Sequence, residues 1–199
     1  MRPAETNVLY RFSSLERLEK SLRLGEFCLV SASNIEAIEG DAERQDGEID
    51  RSFEVDSSRV KITHSATGQN IPLGSNITIE CSTESDYYML CFSTQKSSIN
   101  YELFSGSEGY IAIHDRVEFT RRLYAAVDEH LPSWPCANAS VAYGLTQHEY
   151  GAPFRKPEKY LFQFEWRYVW LPPRNTERLE NLIVRIGGLE DIASVHAKG

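Results

Sequence analysis

"YLFQFEWRYVW", residues 160–170, sets a carboxylate, an amide and a guanidinium among six aromatic rings. In a strand, residues two apart share a face. Tyr160, Phe162, Phe164, Trp166, Tyr168 and Trp170 then line one side. Leu161, Gln163, Glu165, Arg167 and Val169 line the other, which is apolar at its ends and polar at its centre. The aromatic side calls for a core. The opposite side reads as the wall of a cleft.

Other segments supply partners for such a strand. "NVLYRF" (7–12), "EFCLVS" (26–31), "DYYMLCFST" (86–94) and "EGYIAIHD" (108–115) carry strand patterns. "RVKIT", "SNITIE" and "ASVAYG" are shorter candidates. "SSLERLEKSLRLG" reads as a helix, with a Ser13–Glu16 capping box, a Leu15, Leu18, Leu22 stripe and Gly25 as its stop. "RVEFTRRLYAAVDEHL" reads as a second helix, with Val117, Leu123, Tyr124 and Val127 on one face and Asp115 as its cap. "LPSWPCAN" and "GAPFRKPEK" read as loops, and residues 175–186 fit either a helix or a strand. Strands outnumber helices without regular alternation. The fold expected is therefore α+β, with mostly antiparallel sheet and flanking helices.

The chain has 199 residues, 41% of them hydrophobic, enough for one domain over 1–199. It contains no apolar run of about 18 residues, so no membrane span is expected. "MRPAETNVLYRF" lacks the apolar centre of a secretory signal, which points to the cytoplasm. Cys28, Cys81, Cys91 and Cys136 include no C-x-x-C pair, and no metal site is expected. Cys28 and Cys91 sit in apolar runs and read as reduced core residues.

Of the net charge of −8, much lies in residues 34–56, where nine acids meet two bases. That stretch reads as a solvated loop or insertion, or as a docking surface for a basic partner. The remainder is nearly neutral and shows no basic footprint for nucleic acid. No phosphate-binding loop, H-E-x-x-H helix or nucleophile elbow occurs.

Three short stretches carry more. Tyr10-Arg11, then Phe92-Ser93-Thr94-Gln95, then Gln163-Phe164-Glu165 occur in this order. The arrangement resembles the mono-ADP-ribosyltransferases of the Arg–Ser–Glu class. That resemblance implies split β-sheets with NAD in a cleft between them. Glu165 would stabilise the oxocarbenium-like sugar formed as nicotinamide leaves, as carboxylates do in glycoside hydrolysis. Ser93 would orient Glu165, and Gln163 would face a protein or nucleic-acid acceptor. Arg11 would pair with the pyrophosphate. Thr94 would join the cofactor site, and Tyr10 or Tyr101 would stack on the nicotinamide. A carboxylate among aromatics is expected to have a raised pKa.

A second resemblance spans about residues 8–170. "LYRFSSLERLEKSLRLGEFCLVSASNIEAIEG", "CFSTQKSSINYELFSGSEGYIAIHD" and "KPEKYLFQFEWRYVW" are similar to an uncharacterised bacterial family related to AbiGi abortive-infection proteins. It implies a toxin or phage-defence setting, with a cognate toxin or antitoxin partner. Three departures stand out: "SNIEAIEG" lacks the family's Asn-Asp-Pro-Phe core, Tyr101 replaces a tryptophan, and Gln95 replaces the transferases' second serine.

The same residues also admit a reading without a ligand. Glu165 with Arg167, or with Arg11, makes a structural ion pair, and Ser93-Thr94 ends a strand. On that reading the chain is a non-catalytic interaction protein, binding a partner through its acidic segment.

Overall fold

The computed structural model describes residues 7–36, 50–83, 85–97, 106–144 and 148–198. Strand β1 (Leu9–Ser13) leads through helix α1 (Leu15–Leu24) into β2 (Glu26–Ser31), followed by the short helix α2 (Ala32–Glu36). Two small antiparallel pairs come next. β3 (Asp50–Val55) pairs with β6 (Ile77–Ser82), and β4 (Ile62–Thr63) with β5 (Asn70–Ile71). Then come β7 (Tyr88–Ser93), β8 (Gly109–Ile113), helix α3 (Arg116–His130), β9 (Cys136–Ser140), β10 (Ala142–Tyr143) and β11 (Arg155–Lys156). β12 (Glu165–Trp170), β13 (Leu182–Arg185) and β14 (Ala193–Ala197) complete the order. The architecture is α+β and mostly antiparallel. The β10–β11 bridge is parallel.

β7 is the hub of an eight-stranded sheet. One of its edges pairs with β12 from Tyr88↔Trp170 to Ser93↔Glu165. The other edge is shared. β2 takes its start, through Ser31↔Tyr88 and Val30↔Met89, and β1 takes its end, through Tyr10↔Ser93. β1 and β2 therefore diverge along one strand and leave a fork. The sheet continues outward as β1–β8–β14 on one arm and β2–β13 on the other. The expectation of two separate sheets is corrected to one sheet with a split edge.

The helices form for local reasons. Leu18 of α1 and Phe119, Leu123 and Val127 of α3 join the core. Val117, expected on the buried stripe of α3, is 72% exposed. Asp115 caps α3 as expected, accepting from the backbone of Val117 and Glu118. The Ser13–Glu16 box on α1 does not form. Ser13 is held in the β1–β8 ladder opposite Gly109, and Glu108 Oε2 instead accepts from Leu15 N at 2.8 Å. Glu16 pairs with Lys20. α1 stops at Gly25, whose φ is 60° and whose added Cβ would lie 2.1 Å from Gly187 O.

The aromatic stretch is strand only from Glu165 onward. Residues 158–163 form a 3-10 turn, and Phe164 has a φ of 44°. A left-handed residue breaks the alternation, so Tyr160 and Phe162 do not extend the aromatic face. Trp166, Tyr168 and Trp170 do face the main core. Tyr124 meets the last two edge-on, with ring centroids 6.1 and 5.9 Å away. Part of "LPSWPCAN" is strand β9 rather than loop, and the undecided 175–186 segment contributes β13.

Candidate functional site

The fork opens into a cleft of about 590 Å³. Tyr10, Arg11, Cys91, Ser93, Gln163 and Glu165 line it, with Lys156 at the same end as Glu165. α1 contributes Arg17 and Lys20, and β2 contributes Phe27 and Cys28. Most of the residues singled out in the sequence thus meet around one space. Thr94 is not among the lining residues. Tyr101 lies outside the described residues.

Arg11 occupies the split itself. Between Met89 and Ser93, the fork edge of β7 has no ladder partner among the described residues. Arg11 Nη1 donates to Cys91 O on that edge at 2.9 Å, and its guanidinium sits 5.9 Å from the Phe92 ring centroid. It thereby satisfies a carbonyl that the divergence of β1 and β2 strips of a strand partner.

Register places Ser93 directly between Tyr10 and Glu165. Its hydroxyl does not orient the carboxylate, contrary to expectation. Its single proton is shared between two carbonyls, Gln95 O at 2.8 Å and Gln163 O at 2.9 Å. Thr94 acts similarly: its backbone N–H and its hydroxyl both donate to Phe164 O, at 2.8 and 3.0 Å. The Ser-Thr pair therefore clamps the left-handed turn that delivers Glu165 to the strand. The support it gives Glu165 runs through the backbone.

Glu165 is 6% exposed and held by two cations. Arg167 Nε donates to Oε1 at 2.6 Å, and Lys156 Nζ lies 2.8 Å from Oε2. Arg167, fully buried, also donates to Pro153 O at 2.7 Å. Lys156 Nζ also donates at 2.7 Å to Oε1 of Gln163, which lines the cleft beside it. Burial by itself pushes the Glu165 pKa up. The charges of Arg167 and Lys156 overcome this and hold the carboxyl well below the usual carboxylate range. The raised pKa expected from aromatic surroundings is thus corrected. The rings lie on the opposite face of β12, and cations occupy the face that Glu165 shares.

Lys156 and Tyr143 were missed in the sequence. The parallel bridge Tyr143↔Lys156 brings both onto the polar face of β12. The Tyr143 hydroxyl accepts from Glu165 N at 2.8 Å, and burial raises its pKa. Nothing in the local pattern of "GAPFRKPEK" marks Lys156; only the return of the chain across the sheet does.

Cys28 and Cys91 form no disulfide and are half-buried on the cleft rather than sealed in the core. Burial pushes the Cys28 thiol pKa up. Among the described residues, no group of three or more His, Cys, Asp or Glu is placed to hold a metal ion, and no helix is long and apolar enough to cross a membrane. No family model, curated protein or solved structure matches the chain.

Proposed function

We propose that the fork is an NAD-binding cleft and that the chain is an ADP-ribosyltransferase-like domain, acting in a toxin or phage-defence setting. One observation carries this reading: Arg11, Ser93 and Glu165, far apart in sequence, line one cleft where a sheet splits. A dinucleotide entering it meets the guanidinium of Arg11 and, on α1, Arg17 and Lys20, which suit phosphate oxygens. At the far end it meets the carboxylate.

The cations on that carboxylate set a condition for chemistry. A Glu165 neutralised by Lys156 and Arg167 offers a developing oxocarbenium ion little net negative charge. Transfer requires the ligand to draw Lys156 away, leaving Arg167 to hold the carboxylate in place. Arg167, the stronger of the two charges that lower the Glu165 pKa, then remains to favour the ionised carboxylate. An acid limb near neutrality would have to come from another group.

A second reading rests on that same ion-pair cluster. With Lys156 fixed in place, the cleft binds a nucleotide without transferring anything, and the domain acts as an interaction protein. Titration of the purified chain with NAD, followed by calorimetry, tests both readings. The first expects binding that Arg11→Ala weakens, label transfer from NAD to a protein or nucleic acid, and loss of transfer but not of binding in Glu165→Gln. Binding without transfer selects the second reading. No binding by a folded wild-type chain defeats both.

A further inference from the structure

Away from the cleft, two imidazoles converge on one hydroxyl. His114 follows β8, and Ser194 and His196 lie on β14. The antiparallel register sets Ser194 opposite Ala112 and His196 opposite Tyr110, so the three side chains share one face of the sheet. His114 Nε2 lies 2.8 Å from Ser194 Oγ, and His196 Nε2 lies 2.9 Å from the same atom. The two nitrogens are therefore within two hydrogen-bond lengths of each other. Both rings are exposed and open to solvent. His196 is steadied by stacking on Tyr110, with centroids 4.8 Å apart and planes at 16°. His114 is steadied through its backbone N–H, which donates to Ile192 O at 2.7 Å.

A hydroxyl has one proton. Ser194 donates it to one ring and accepts from the other, so one Nε2 already presents a lone pair towards the shared point. Moving the second ring's proton to Nδ1 and turning the hydroxyl aside presents two lone pairs. Two imidazole nitrogens, with water completing the shell, suit Cu²⁺ best, then Ni²⁺ and Zn²⁺, and suit Mg²⁺ and Ca²⁺ poorly.

We propose that His114 and His196 form a two-nitrogen binding site for a divalent transition-metal ion, Cu²⁺ most tightly, with Ser194 holding the rings in register. None of the three residues lines the cleft, and the site is far from its Glu165 end. Glu165, Ser93, Tyr10, Ala112 and Ser194 are successive cross-strand neighbours, which puts the ends of that row about 19 Å apart at about 4.8 Å per strand. The proposal does not depend on what the cleft binds.

Titration of the full chain with Cu²⁺, followed by electron paramagnetic resonance, tests it. The wild type is expected to give one site with hyperfine structure from two nitrogens. His114→Ala and His196→Ala should each leave one nitrogen and weaken binding at least about tenfold, because the second ligand no longer acts at high effective concentration. Ser194→Ala should keep both nitrogens. Wild-type and His114→Ala chains with the same spectrum and affinity would overturn the assignment. So would a two-nitrogen spectrum that survives loss of both rings. Imidazole NMR shifts on adding Zn²⁺ to the wild type provide an independent check, and they should be confined to these two rings.

Discussion

Trp166, Tyr168 and Trp170 leave β12 on one side, and Glu165, Arg167 and Val169 leave it on the other. Both sides are buried. On the aromatic side, rings meet rings from α3 and β7, and each contact is replaceable by another apolar one. On the other side, a carboxylate and two cations depend on each other, and losing one strands the rest. A strand buried equally on both faces thus has one tolerant face and one brittle face.

The largest break in that comparison is Arg167→Ala. It empties a fully buried site, removes the donor to Pro153 O and leaves Glu165 with Lys156 as its neighbouring cation. Denaturant unfolding should show a loss of about 3–5 kcal/mol. A loss no greater than that of Tyr168→Phe would erase the distinction between the faces.

Acid should act on the brittle face next. The folded pKa of Glu165 lies below its unfolded value, so its contribution is present above an unfolded pKa of about 4.3 and fades as pH falls through the folded value. Unfolding midpoints measured from about pH 7 down to pH 3 should fall for the wild type. In Glu165→Gln that part of the decline should be missing. Parallel curves for the two proteins would refute the depressed pKa.

Tyr168→Phe probes the tolerant face. Its hydroxyl is 2.8 Å from Thr120 Oγ1, and removing it should cost about 1 kcal/mol in the same assay. The smallest effect belongs to neither face. Glu108→Ala removes the side-chain cap of α1 and should cost about 0.5–1 kcal/mol, read as a small shift in midpoint. No change would mean that solvent caps α1 equally well.

Much of the scaffold was legible in local pattern. The limits of β2, the placing of β7 and β8, the stop of α1 at Gly25 and the cap of α3 at Asp115 all follow from alternation, helical spacing and end residues. The aromatic run misled at its start because Tyr160 and Phe162 continue the strand alternation while the backbone does not. The Phe164 turn is held by Thr94, 70 residues away. Ser13 misled similarly, since the β1–β8 ladder claims it and Glu108 takes over the cap.

The site divided along the same line. Arg11, Ser93 and Glu165 stood out by residue type and order, and they do border one cleft. Their individual roles depended on neighbours that no spacing announces. Arg11 fills a gap created by two diverging strands, Ser93 braces a turn, and Lys156 reaches Glu165 only because β10 and β11 pair in parallel.

What the sequence determined by itself was the central strands β1, β2, β7 and β8, the aromatic face of β12 from Trp166 onward and the polar identity of the opposite face, because these depend on residues a few places apart. What tertiary structure decided was the fork in the sheet, the charge state of Glu165 and the convergence of His114 and His196 on Ser194. Each of these depends on which distant groups share a few ångströms of space, and burial and Coulomb energy are settled only at that range.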